Sequence, residues 1–174
     1  MGRVDLLLQD HAHCEKKAAA SALALVSAHP DRPKLVAALA RLAQEETSHL
    51  FLVLAELERR GLHLGRCESD PYAKALRSFV RSGAETQLCD RLLVGAIIEA
   101  RSCERFSLLE RHCTEARLTA MYGSLVASEA GHHALFLRLA DEVVGRRPAS
   151  ERLDELLDRE AELIVRLPLR PAVH

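Results

Sequence analysis

Four glutamates and two histidines are the residues of this sequence whose types and spacing could do chemistry. In the stretch EETSHL, Glu46 stands three residues before His49; in SEAGHH, Glu129 stands three before His132. A spacing of three puts both side chains of a pair on one face of a helix. Leu39, Leu42, Ala43, Leu50, Val53 and Leu57 share the face of the first pair, and Leu125, Val126, Phe136 and Leu139 that of the second. Ionisable groups on an apolar face are costly unless they are paired or bind a metal. Each pair also follows a glutamate on another apolar face. Glu15, among Leu8, Ala12, Ala19 and Ala22, lies 31 residues before Glu46; Glu99, among Leu92, Ala96, Cys103 and Phe106, lies 30 before Glu129. One Glu-x-x-His alone is more often a solvated pair. Two of them, each led by an inward glutamate at the same distance, form a pseudo-repeat that suits two divalent metal ions. Four carboxylates balance the four charges, two neutral imidazoles complete the shell, and open positions remain for oxygen and a substrate. The expected ligands are Glu15, Glu46, His49, Glu99, Glu129 and His132, and two iron ions are the expected cofactor. No catalytic residue is expected beyond these ligands.

The neighbouring candidates are weaker. Glu45 is one turn from His49, but Arg41 and Ser48 share its face, which points to solvent. His133 is four residues after Glu129, and register with the first motif favours His132. Glu104 sits with Arg101, Ser107 and Arg111 on a polar face. His11, four residues before Glu15, reads equally as a neighbour of the ligands or as a partly exposed histidine; His13 points elsewhere. Cys14 and Cys103 read as small core residues and Tyr122 as core packing. Ala12, Ala19, Gly95 and Ala96 leave room for a pocket or for close helix packing.

These residues need helices to position them. The chain has 174 residues, 48% hydrophobic and 3% aromatic, and is rich in the good helix formers Ala, Leu, Glu and Arg. Breakers divide it. A first helix is predicted from Asp5, as N-cap, to Ala28, ended by HPDRP. A second runs from Pro33 to Arg60, with Gly61 as its stop. Ser69 or Asp70 caps a short helix over 71–81. A third long helix covers 85–112, and a fourth, capped by Thr114, reaches Val144. A final amphipathic helix spans Ser150 to Leu167, followed by a frayed end. The predicted fold is all-α: one domain, 1–174, built as a four-helix bundle. A long connection between the second and third long helices carries the short helix, and a C-terminal helix follows. With inward Glu and Glu-x-x-His on alternate helices, the pattern is that of ferritin-like di-iron or di-manganese bundles. Five cysteines without a CxxC pair read as reduced thiols in a cytoplasmic protein. No apolar run has membrane-spanning length. The net charge of -1 gives no global attraction to a polyanion.

Three stretches are more specific than the ligand pattern: DHAHCEKKAAASALALV, EETSHL and LLVGAIIEARSCERFSLLE. They resemble the bacterial tRNA hydroxylases that act on 2-methylthio-N6-isopentenyladenosine beside the anticodon, over about residues 8 to 145. The resemblance implies a ferritin-like bundle with a non-haem di-iron centre. It implies molecular oxygen as co-substrate, two electrons from an external donor protein or reductant, and tRNA as the substrate partner. Carried over by position, the ligands are the same six residues. The chain departs from the pattern in two places. It starts almost at the first helix, where a leader is expected. Gly131 stands where a larger basic residue is expected, and a mid-helix glycine costs about 1 kcal/mol relative to alanine.

An RNA substrate requires a cationic surface. Residues 59–81 hold Arg59, Arg60, Arg66, Lys74, Arg77 and Arg81 against Glu68 and Asp70, an excess of four positive charges. Phosphates are expected there, with the modified base turned toward the metal; the competing reading is a solvated face. Two rival functions remain at this level. One is a ferritin-like di-iron oxidase, peroxidase or iron-handling protein without an RNA substrate. The other is a helical interaction protein whose Glu and His residues lie on the surface.

Overall fold

Apolar positions recurring every three to four residues, between Pro and Gly breakers, produce long helices. The computed structural model of the chain describes residues 2–67, 69–168 and 170–173. Its helices are α1 (Arg3–Ala28), α2 (Pro33–Arg59), α3 (Pro71–Arg77), α4 (Ala84–His112), α5 (Ala116–Val144) and α6 (Arg146–Ile164). The described residues contain no strand. They form two compact units, one of α1, α2 and residues 170–173, the other of α3 to α6.

In the first unit α1 packs on α2. The seam is made by Leu8, Ala12, Ala19, Ala22 and Leu25 on α1 and Leu35, Leu39, Leu42, Ala43, Val53 and Leu57 on α2, all buried. Pro33 occupies the first turn of α2, where an N–H would have no helical partner. The other end closes at Gly61, whose φ is +67°. Gly61 N donates to Glu58 O at 2.9 Å and Leu62 N to Leu57 O at 2.9 Å, so the last carbonyls are satisfied. The predicted fraying of the C-terminal residues does not extend to Val173. It is buried, and its N–H donates to Asp10 Oδ2 at 2.8 Å, which returns the chain to α1.

In the second unit α4 packs along α5. Leu88, Leu92, Leu93, Ala96, Ile97 and Phe106 meet Leu118, Tyr122, Leu125, Phe136, Leu139 and Ala140 in a buried core. The rings of Phe106 and Tyr122 lie 5.4 Å apart. A Cβ on Gly95 would stand 3.0–3.2 Å from ring carbons of Phe136, so the missing side chain is what lets that ring close onto α4. Two buried polar networks fasten the flanking pieces. Asp90, with no exposed surface, accepts from Arg81 and from Arg152 of α6, and Arg152 Nη2 also donates to Phe79 O at 2.8 Å. Glu160 of α6 accepts from Tyr72 Oη at 3.0 Å and Arg101 Nη2 at 2.6 Å.

Helix ends differ from expectation where local chemistry decides them. Asp5 is not the N-cap of α1. It sits in the first turn and accepts from Gly2 N at 2.8 Å. Asp70 does cap α3, accepting from Ala73 N at 3.1 Å. That helix stops at Arg77, four residues short of the predicted end, and the backbone N–H of Arg81 goes to Asp90. Glu115 rather than Thr114 precedes α5. The last helix begins at Arg146, because Pro148 fits a first turn, and it ends at Ile164 rather than Leu167.

Candidate metal centre

The leucine and alanine seams that pack α1 on α2 carry Glu15, Glu46 and His49 into the interior, where they are 4%, 1% and 8% exposed. Each offers a ligand atom within 4.8 Å of the others. Nδ1 of His49 lies 3.6 Å from Glu15 Oε2 and 3.6 Å from Glu46 Oε2. The other oxygen of Glu15, Oε1, is 2.6 Å from Nε2 of His11. His11 has no exposed surface, which excludes the partly exposed reading of that residue. Burial by itself would push the Glu15 carboxyl up. Hydrogen bonds from His11 and His49 outweigh it and hold the carboxyl well below the usual carboxylate range. Burial likewise lowers His49, but its hydrogen bonds to Glu15 and Glu46 prevail and raise it to about 10. A proton on His49 thus stands where these acids attract positive charge.

The α4–α5 pair repeats the set. Glu99 is 5% exposed, Glu129 2% and His132 3%. Glu99 and His132 offer ligand atoms within 4.8 Å of each other. Ser128 Oγ lies 3.4 Å from His132 Nε2. Burial first, and then the charge of nearby Glu129, push the Cys103 thiol up. The register of α5 gives the two adjacent histidines different surroundings. His133 is half-buried and bonds through Nδ1 to the backbone oxygen of Ala96 at 2.8 Å, while His132 shares the buried face with Glu129. Glu104 is exposed and paired with Arg101, and Glu45 is exposed.

The donor chemistry fits a divalent metal. In the first unit two buried carboxylates face one imidazole, and in the second two more are buried with another. Carboxylate with imidazole suits iron and its first-row neighbours, and a divalent cation offsets the repulsion between buried acids better than one proton. Glu15, Glu46 and His49 could hold such an ion in one unit, and Glu99, Glu129 and His132 in the other.

The basic stretch 59–81 divides into two kinds of residue. Arg59 donates to Glu56 at 2.9 and 2.6 Å, and Arg60 donates to it at 2.7 Å. Arg60 also reaches Asp5 at 3.5 Å. Arg81 is held by Asp90. Arg66, Lys74 and Arg77 are exposed and make no ion pair among the described residues. Glu68, counted in the sequence balance, lies outside the described residues.

A family model described as tRNA-(MS[2]IO[6]A)-hydroxylase (MiaE) matches residues 1–174. A protein of Pseudomonas putida named tRNA 2-(methylsulfanyl)-N(6)-isopentenyladenosine(37) hydroxylase is 39% identical over 160 residues, covering 92% of this chain and 78% of its own. A Salmonella typhimurium protein of the same name is 34% identical over 132 residues, covering 76% of this chain and 48% of its own. Among solved structures, "Protein 43 with aldehyde deformylating oxygenase activity" from Synechococcus superposes with a TM-score of 0.92 at 37% identity, covering 97% of this chain and 85% of that one. The all-α fold is the ferritin-like fold of that oxygenase.

Proposed function

The chain belongs to the tRNA-(MS[2]IO[6]A)-hydroxylase family, and from that premise we propose that it hydroxylates the isopentenyl side chain of 2-methylthio-N6-isopentenyladenosine beside the anticodon of tRNA. The observation that carries the reading is the burial, on each long helix pair, of the same set: one glutamate and one Glu-x-x-His. The two sets, Glu15 with Glu46 and His49 and Glu99 with Glu129 and His132, are assigned as the ligands of a di-iron centre, and residues 1–174 as one functional domain. When bound, the irons supply the oxidising power for inserting oxygen into a C–H bond, using O2 and two electrons from an external donor.

The chain's own residues prepare for that chemistry. Low carboxyl affinity for protons keeps Glu15 ionised and ready to ligate. His49 must give up its proton to offer a lone pair, so metal uptake releases protons. The apolar seams around each set keep bulk water away and leave the charges little screened. The tRNA phosphates are assigned to the basic stretch, with Arg66, Lys74 and Arg77 as its exposed contacts. No helix among the described residues is long and apolar enough to cross a membrane. With tRNA as its substrate, the enzyme is assigned to the cytoplasm.

Mass spectrometry of nucleosides is the direct test. tRNA bearing the isopentenyl modification is incubated with reduced, iron-loaded protein and oxygen. A gain of one oxygen on that nucleoside supports the reading. An unchanged nucleoside, with iron bound and oxygen consumed, favours a ferritin-like oxidase without RNA substrate.

A further inference from the structure

Among the polar side chains buried in the first unit, His11 lies outside the ligand set yet touches one of its members. It lies on α1 one turn before Glu15 and has no exposed surface. Its Nε2 meets Glu15 Oε1 at 2.6 Å, a short hydrogen bond. A carboxylate oxygen accepts, so this contact is closed by a hydrogen on Nε2, which donates. The other carboxylate oxygen, Oε2, is the one directed at His49 Nδ1, 3.6 Å away. The two oxygens of Glu15 therefore have different surroundings: one is held within its own helix, the other faces the second member of the metal set.

We propose that His11 is a positioning residue for the metal centre, fixing Glu15 through Oε1 so that Oε2 is the donor atom. The proposal rests on the di-iron reading and adds to it the role of one residue and of one atom. A carboxylate anchored by neither oxygen turns about its terminal bond and exchanges between one-oxygen and two-oxygen binding. A hydrogen bond to one oxygen removes that freedom before the metal arrives, and partners that orient a ligand in this way are worth about 10–100-fold in metal affinity. A buried imidazole kept only for its volume would do none of this, and an apolar ring would replace it.

The test is equilibrium binding of Co(II) to the metal-free chain, with the visible absorption of the bound ion as a second readout. His11→Phe keeps a buried ring and removes the donor; His11→Gln keeps an N–H donor. The expected result is Co(II) affinity about 10–100-fold weaker in His11→Phe, with an altered spectrum, and within about three-fold of the parent in His11→Gln. His11→Leu carries the same test should the phenylalanine variant fail to fold. Parent-like affinity and spectrum in His11→Phe overturn the proposal, and so does equal loss in the Phe and Gln variants, which would mark His11 as packing. A parent chain that binds no Co(II) overturns the metal reading and this proposal together. Stoichiometric binding by the parent, abolished in Glu46→Ala, keeps the metal reading standing whatever His11 does.

Discussion

Arg81 holds Asp90 three times, through its backbone N–H at 2.9 Å, Nε at 3.0 Å and Nη2 at 2.8 Å. Asp90 has no exposed surface, and Arg152 grips it from α6 at 3.1 and 3.0 Å. Removing the acid takes two bonds from the buried Arg152, leaving it Phe79 O and Glu155, whereas removing Arg81 leaves Asp90 its second partner. Asp90→Ala is expected to destabilise the chain by about 3–5 kcal/mol. Arg81→Ala, whose side chain is 47% exposed, is expected to cost about 1 kcal/mol. Urea unfolding of the two variants measures both, and similar costs would contradict this division of roles.

The same bond redirects the search for the RNA surface. Reversing Arg81 would damage the fold, so a clean test uses Lys74 and Arg77 on α3. Lys74→Glu with Arg77→Glu is expected to weaken tRNA binding and to lower the log–log salt slope by about 0.7–0.9 per lost phosphate contact. Metal content should not change. Filter binding across a salt series gives affinity and slope together. Parent-like values would move the RNA surface elsewhere, with Arg159, Arg166 and Arg170 next in line.

Metal content tests each ligand set separately. The parent is expected to bind two iron ions per chain. Glu46→Ala in the first set and Glu129→Ala in the second should each reduce bound iron well below that level while the helical circular dichroism persists. Elemental analysis after anaerobic loading is the measurement, and undiminished iron in either variant removes that residue from the set.

Two glycines are expected to respond in opposite directions to alanine. Apart from its chain neighbours and the backbone of its own helix, nothing lies within 4 Å of where a Cβ on Gly131 would stand, and it lies within α5. Gly131→Ala should stabilise the chain by about 1 kcal/mol. Gly95→Ala places its methyl 3.0 Å from the buried ring of Phe136 and should destabilise by about 1–3 kcal/mol. Thermal melts with opposite shifts would confirm the contrast.

Stability at acid pH has a contribution from Glu56. Hydrogen bonds from Arg59, against the cost of burial and helped by Arg60, draw its carboxyl from 4.5 down to about 2. A depressed carboxyl stabilises the fold above its unfolded value and loses that effect as pH falls through the folded one. The gap in unfolding free energy between the parent and Glu56→Gln should therefore be constant above about 4.5 and close as pH falls toward about 2. Denaturant titrations at several pH values report it.

Much of this was legible in the sequence, because helical periodicity fixes which side chains turn inward. Most apolar neighbours of Glu15, Glu46, Glu99 and Glu129 are buried as their spacing requires, and so are the acids themselves, while Leu50, Cys103 and Val126 are half-buried. Register favours His132 over His133, and the polar neighbours of Glu104 favour Glu99; His132 and Glu99 are buried, His133 is half-buried and Glu104 is exposed. Periodicity does not identify partners. Arg59, Arg60 and Arg81 counted as positive charge in a linear sum, while Glu56 and Asp90 neutralise them in space. His11 had the right spacing from Glu15, yet only packing from the rest of the unit could decide that it is buried. Helix ends were the weakest reading. Asp5, Thr114 and Ser150 all have capping chemistry, and which of several such residues becomes the cap depends on one or two local hydrogen bonds.

The bonds made by α6 also bear on the order in which the chain can acquire structure as it leaves the ribosome. Arg152 follows Asp90 by 62 residues, and Glu160 follows Tyr72 by 88. While the nascent chain is still short of α6, Asp90 has Arg81 alone, and Tyr72 and Arg101 lack the acid they share. The buried polar bonds of the second unit thus close only after α6 has emerged, however early α4 and α5 pack.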